Sequence, residues 1–90
     1  MLRTVRFSPG QVVITPGALA ALSDDVVRQS LKRHLTGDWG DVDAHDAQEN
    51  ELSLREGFRL LSAYHQGDVK FWIITEADRS VTTILLPEEY

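Results

Sequence analysis

The chain contains no cysteine, which excludes disulfides and thiolate metal sites and makes a reducing cytoplasm its simplest home. No apolar run approaches the length needed to cross a bilayer, and nothing ahead of Arg3 resembles a secretory leader, so no membrane partner is expected. Basic residues are in deficit: 9 Lys and Arg stand against 14 Asp and Glu, a formal net charge of -5. Direct nucleic-acid binding needs a basic surface, and this balance argues against it. Internal repeats, low-complexity tracts and linkers are also missing. The 90 residues therefore read as one domain, 1–90, large enough for a single core without covalent staples.

What is present is concentrated in the last third, residues 58–86. Val69, Phe71, Trp72, Ile73, Ile74 and Thr75 are β-branched or aromatic, as are Val81, Thr82, Thr83 and Ile84. Gly67-Asp68 between the first two runs suits a primed hairpin turn with glycine leading. That turn implies a register in which Gln66 faces Val69, Tyr64 faces Phe71, Ser62 faces Ile73 and Leu60 faces Thr75. On the other side His65 faces Lys70, Ala63 faces Trp72, Leu61 faces Ile74 and Arg59 faces Glu76. The segment reads as a three-stranded antiparallel meander. Leu60, Tyr64, Phe71 and Ile73 form its core face.

Its second face is apolar too, through Leu61, Ala63, Trp72, Ile74 and Leu85. A sheet wetted on one side alternates more cleanly than this. Some cover is expected there, either another part of the chain or a second protein.

Toward the N-terminus, residues 4–7 alternate like a short strand, residues 8–11 suit a turn, and residues 11–14 form a second apolar run. Either run suits an edge of the sheet, and the two together suit a hairpin. Thr15-Pro16 marks a helix start, since Thr caps free N–H groups and Pro is tolerated in the first turn. Ser23 with Asp24 and Asp25 starts a second helix, along which Val27, Leu31 and Leu35 form an apolar stripe. Lys32, Arg33 and His34 suit its C-terminal end, and Gly37 its close. Trp39, between Gly37 and Gly40, reads as a plug at the edge of the core. Asp41 or Asp43 caps a third, polar helix that Gly57 stops and that packs by a narrow strip of Ala44, Ala47, Leu52 and Leu54. The expected architecture is α+β: a three- to four-stranded antiparallel sheet, the C-terminal meander, with two to three N-terminal helices packed on one face.

The chemistry-bearing residues are weaker signals. Asp38, Asp41, Asp43, His45, Asp46 and Glu49 do not follow a calcium-loop pattern and read as helix caps and a solvated face, so no metal is expected. His34, His45 and His65 are dispersed and read as surface or capping residues. Arg28, Lys32 and Arg33 read as a solvated strip, with Asp24 positioned to pair with Arg28. Arg79 could clamp a carboxylate or phosphate, or pair locally with Asp78 or Glu76. There is no Ser-His-Asp signature, no phosphate-cradling glycine loop and no HExxH, and no cofactor is implied.

The segments HLTGDWGDVD (34–43), GFRLLSAY (57–64) and FWIITEADRSVTTILLPEEY (71–90) resemble a group of small bacterial plasmid-related proteins. That resemblance implies an association with bacteria and their mobile elements and no particular reaction. The topology is more weakly similar to RelE-like and barnase-like ribonuclease toxins. If that likeness carried activity, Arg59, His65, Lys70 and Arg79 would be the catalytic candidates.

The leading expectation is a small cytoplasmic protein-binding module or regulator without catalysis, acting on another protein or on itself. Trp72, Ile74, Leu61, Leu85 and Trp39 are its binding candidates. The alternatives are a ribonuclease-type enzyme and a structural homodimer subunit.

Overall fold

Gly67, at φ 58°, turns the chain between β2 (Leu60–Gln66) and β3 (Val69–Thr75). The computed structural model, which describes residues 4–90, pairs the two strands in the register expected, from Gln66↔Val69 to Leu60↔Thr75. Just beyond the ladder the Arg59 guanidinium meets the Glu76 carboxylate at 3.1 Å. Both side chains are substantially exposed, so the pair contributes only about 0.2–1 kcal/mol. β4 (Val81–Leu85) returns antiparallel to β3, with Ile73 opposite Ile84.

The N-terminal strand departs from expectation. β1 (Gln11–Ile14) lies parallel to β4, so the sheet is mixed rather than antiparallel, in the order β1-β4-β3-β2. Residues 4–7 form no strand. They serve the end of a helix instead: the Arg6 N–H donates to the Leu35 carbonyl at 2.8 Å, and the Phe7 ring sits edge-on to His34. Alternation over so short a stretch does not reveal which partner its backbone will find.

α1 (Pro16–Ala21) and α2 (Asp24–Leu35) begin where their caps predict. Thr15 Oγ1 accepts from the Ala18 N–H and Ser23 Oγ from the Val26 N–H, satisfying donors that a helix start leaves free. Both helices lie on the core face, where Ala18, Leu22, Val26, Val27 and Leu31 pack with Tyr64, Phe71, Ile73 and Ile84. Phe71 and Ile73 are fully buried, each worth about 1.5–3 kcal/mol of transfer free energy.

α3 (Ala44–Glu56) is capped by Asp43, one of the two acids read for that role, and stops at Gly57 as read, but it does not join α1 and α2 on that face. Its buried positions are polar, Asn50 and Ser53. It runs along the outer edge of β2, where the Asn50 side chain donates to the Leu61 carbonyl at 2.7 Å and accepts from the Leu61 N–H at 3.1 Å. One amide thus satisfies an edge residue as a neighbouring strand would. Farther along the same edge the Ala63 N–H donates to the Trp39 carbonyl at 3.1 Å, and the Asp41 N–H donates to the Ala63 carbonyl at 2.7 Å. Gly40 between them has φ 76°, and a Cβ there would run into the Ala63 carbonyl.

Candidate binding face

The residues of β2, β3 and β4 that point away from α1 and α2 build the second face. Leu61 is opposite Ile74, Ala63 opposite Trp72, Trp72 also opposite Leu85, and Ile74 also opposite Thr83. Strand alternation puts these side chains on one surface. Four of the expected binding residues, Leu61, Trp72, Ile74 and Leu85, are therefore together. α1 and α2 lie on the core side and α3 along the edge, which leaves this face to the chain's own C-terminus.

That cover is slight. Pro87–Glu89 forms a single 3₁₀ turn, and Tyr90 after it lays its ring edge-on to Trp72 with centroids 5.7 Å apart. The Arg59 guanidinium donates to the Tyr90 hydroxyl at 2.7 Å. Glu89 secures the turn from the other side: its carboxylate accepts from the Thr15 hydroxyl and from the N–H groups of Gly17 and Leu86. These bonds hold the Glu89 carboxyl below its ordinary pKa, the Thr15 hydroxyl most of all. Ile74 and Leu85 are consequently buried, while Leu61 and Trp72 stay half-buried and Tyr90 is 71% exposed. A hollow of about 200 Å³ remains between Arg59, Ile74, Thr83, Leu85 and Tyr90, below the roughly 300 Å³ at which small-molecule pockets begin.

Trp39, the fifth binding candidate, is not part of this face. It is buried, its indole N–H donates to the Glu51 carboxylate at 2.9 Å, and its ring packs edge-on to His34 and stacks on Phe7. Glu51, held below its ordinary pKa mainly by Arg6, ties this corner to residue 6. Trp39 serves the core, because its side chain enters beside the β2 edge while its carbonyl bonds that edge.

The catalytic candidates separate into two ends of the sheet. His65 and Lys70 are cross-strand partners beside the Gly67 turn. Arg59 lies six residues back from His65, just ahead of β2 and roughly 20 Å away at strand rise. Arg79 is near Arg59's end, and its guanidinium donates to backbone carbonyls, from Nη1 to Phe58, Glu76 and Ala77 and from Nη2 to Ser53. The local acid partners foreseen for Arg79 are replaced by these carbonyls, which tie the β3–β4 turn to the last turn of α3 at Ser53 and to Phe58 just beyond it. The His65 ring donates from Nδ1 to the Asp41 carboxylate at 2.7 Å on the exposed surface.

The acidic segment resolves into caps and pairs. Asp43 caps α3, Asp38 binds Arg33 at 2.8 Å, and His45 lies 3.7 Å from Glu49. Arg28 pairs with Asp25 rather than Asp24, at 2.6 Å. Among the described residues no group of His, Cys, Asp and Glu is placed to hold a metal ion.

One constellation lay outside the sequence reading. His34, read as an exposed cation at the end of α2, is fully buried. Its Nδ1 is 2.6 Å from Ser62 Oγ and its Nε2 is 2.9 Å from Thr75 Oγ1. Thr75 Oγ1 is 2.7 Å from Thr82 Oγ1, which reaches the Pro9 carbonyl at 2.7 Å. The direction of the chain follows from its last acceptor. Pro9 can only accept, so Thr82 donates to it, Thr75 donates to Thr82, and the His34 Nε2–H donates to Thr75. Nδ1 then accepts from Ser62. Burial, reinforced by the Arg79 charge, pushes the His34 pKa down to about 4, so the ring is neutral near pH 7. A hydroxyl bonded to imidazole suggests a nucleophile, but Ser62 is fully buried and out of reach of any substrate. The signal was in the register: Ser62 and Thr75 were already assigned to the core face, where buried polar groups require partners.

Compared with protein-family models, curated proteins and solved structures, the chain matches none.

Proposed function

We propose that this chain is a protein-binding module without catalysis, and that its recognition surface is the second sheet face centred on Trp72. The observation that carries the reading is the slightness of the cover: an apolar row of Leu61, Ala63, Trp72, Ile74 and Leu85 is shielded by Tyr90, which is itself 71% exposed. Trp at the middle of an apolar patch is a frequent energetic centre of an interface. The rim carries both signs, with Asp46 and Glu49 exposed on α3 and Glu88 on the C-terminal turn, and with Arg59 exposed just ahead of β2 and Lys70 on β3. The partner suited to it is a protein with an apolar centre and a rim of mixed charge. The resemblance of segments 34–43, 57–64 and 71–90 to plasmid-related bacterial proteins supports a regulatory or accessory role around mobile elements. The scattering of Arg59, His65, Lys70 and Arg79 favours this reading over a ribonuclease.

The experiment is capture of partners from a bacterial extract on the immobilised chain, followed by titration of each purified partner against wild type and Trp72→Glu. Loss of a central Trp costs about 2 kcal/mol or more, roughly thirtyfold in Kd. A partner that binds folded Trp72→Glu and Leu61→Glu as tightly as wild type would refute the assignment.

A further inference from the structure

The two edges of the sheet are treated differently. β2 is closed by Asn50 and by the backbone of residues 39–41. β1 is not closed. Its Gln11 N–H donates to the Ser80 carbonyl and the Thr15 N–H to the Ile84 carbonyl, so these groups point toward β4. By strand alternation the N–H and C=O of Val12 and Ile14 point the other way. Among the described residues nothing pairs with them. Edge strands are normally guarded by Lys, Pro, an inward charge or a bulge, and Gln11–Ile14 contains none of these. Val12 and Val13 are instead 43% and 37% exposed.

The geometry points to a second copy of this chain as the occupant, added antiparallel through β1 about a twofold axis at Val13. β1 is self-complementary in that register. Val12 falls opposite the second copy's Ile14, and each such pair exchanges both its hydrogen bonds through the groups that point outward. Val13 falls opposite Val13 of the second copy in the closer, non-hydrogen-bonded position, and Gln11 falls opposite Thr15. Every apolar pair is β-branched and no like charges meet. The side chains of Val12 and Ile14 share the core face, where a hollow of about 240 Å³ lined by Ile14, Leu19, Leu22 and Val27 opens beside the edge. The second copy's Val12, opposite Ile14, lands next to it, and Leu19, 62% exposed, gains cover.

Because β2 is blocked, the contact closes as a dimer and does not propagate. The product is one continuous sheet with both Trp72 faces on the same side. The contact is small, so it belongs to the weak, concentration-dependent class.

The test is sedimentation equilibrium of the full chain over a wide concentration range, with amide hydrogen exchange at both extremes. Wild type should rise from 10.1 kDa toward twice that mass. The Val12 and Ile14 amides should gain protection with concentration, while those of Gln11, Val13 and Thr15 are protected throughout. Val13→Asp, which sets two carboxylates face to face, should stay at monomer mass, and Val5→Asp, at an exposed position outside the strand, should behave as wild type. A monomer at every concentration overturns the proposal. So does a dimer that survives Val13→Asp and is lost in Trp72→Glu, since that result moves the contact to the second face. Val12 and Ile14 amides whose exchange ignores concentration also overturn it, whatever Val13→Asp does to folding.

Discussion

Asn50 of α3 holds both backbone groups of Leu61 with one side-chain amide, donating at 2.7 Å and accepting at 3.1 Å. This is the bond pattern of a missing strand, compressed into a single residue. With Glu51, which bonds Trp39 and Arg6, it anchors a helix that has few apolar residues.

Asn50→Ala should therefore cost about 1–3 kcal/mol, the penalty for leaving a partly buried N–H and C=O without partners. The same variant should expose an edge strand and aggregate faster than wild type. Urea denaturation and light scattering at matched concentration check both effects. Unchanged stability would mean that water replaces the amide without loss.

Ser62→Ala leaves His34 Nδ1 with no donor in a fully buried site. The expected loss is about 1–3 kcal/mol, against a small cavity contribution from the hydroxyl itself. Ser62→Thr keeps the donor but adds a methyl group to a close-packed site, so it measures packing separately.

His34 also sets a pH dependence. Unfolded, its imidazole titrates near 6.5, and folded it does so near 4. Between those values the unfolded chain holds more protons than the folded one. Stability is thus complete above about pH 6.5 and declines as pH falls toward about 4, by about 3 kcal/mol in total. Denaturation midpoints in His34→Gln should lack that component. By NMR the His34 ring should not titrate between pH 7 and 5, while a ring titrating at its ordinary pKa would contradict the burial argument.

Arg79 sits at φ 61° without being glycine. The left-handed conformation costs about 1–2 kcal/mol, whereas each charge-assisted bond to a carbonyl contributes about 1.5–3 kcal/mol. The bonds outweigh the strain. The expected order of stability is wild type, then Arg79→Gly, then Arg79→Ala, because alanine loses the bonds and keeps the strain. Thermal midpoints decide the order. Arg79→Gly above wild type would mean that strain dominates.

Tyr90→Ala should uncover Trp72 and leave Trp39 buried. Trp emission should shift to the red in this variant, by an amount that Trp72→Phe abolishes. Binding to a partner of the second face should be preserved or improved.

Local chemistry was legible in the sequence. Gly67-Asp68 specified the hairpin and its register, Thr15 and Ser23 specified two helix starts, the third was narrowed to Asp41 or Asp43, and the alternation of Leu60, Tyr64, Phe71 and Ile73 specified the core face. These depend on φ preferences, caps and a period of two, all readable within a few residues. Other features joined positions far apart in the chain, and only the tertiary structure decided them. β1 had one free edge available, that of β4, and the direction it took there made the sheet mixed. Asn50 had to meet Leu61, Arg79 the carbonyls of residues 53 and 58, and His34 the hydroxyls of Ser62 and Thr75. A polar side chain's role depends on which unsatisfied groups lie within about 3 Å of it once the chain has folded, and one strand or helix read alone does not contain that information. The second face shows both limits: alternation grouped Leu61, Trp72, Ile74 and Leu85, but the covering ring of Tyr90 came from the far end of the chain.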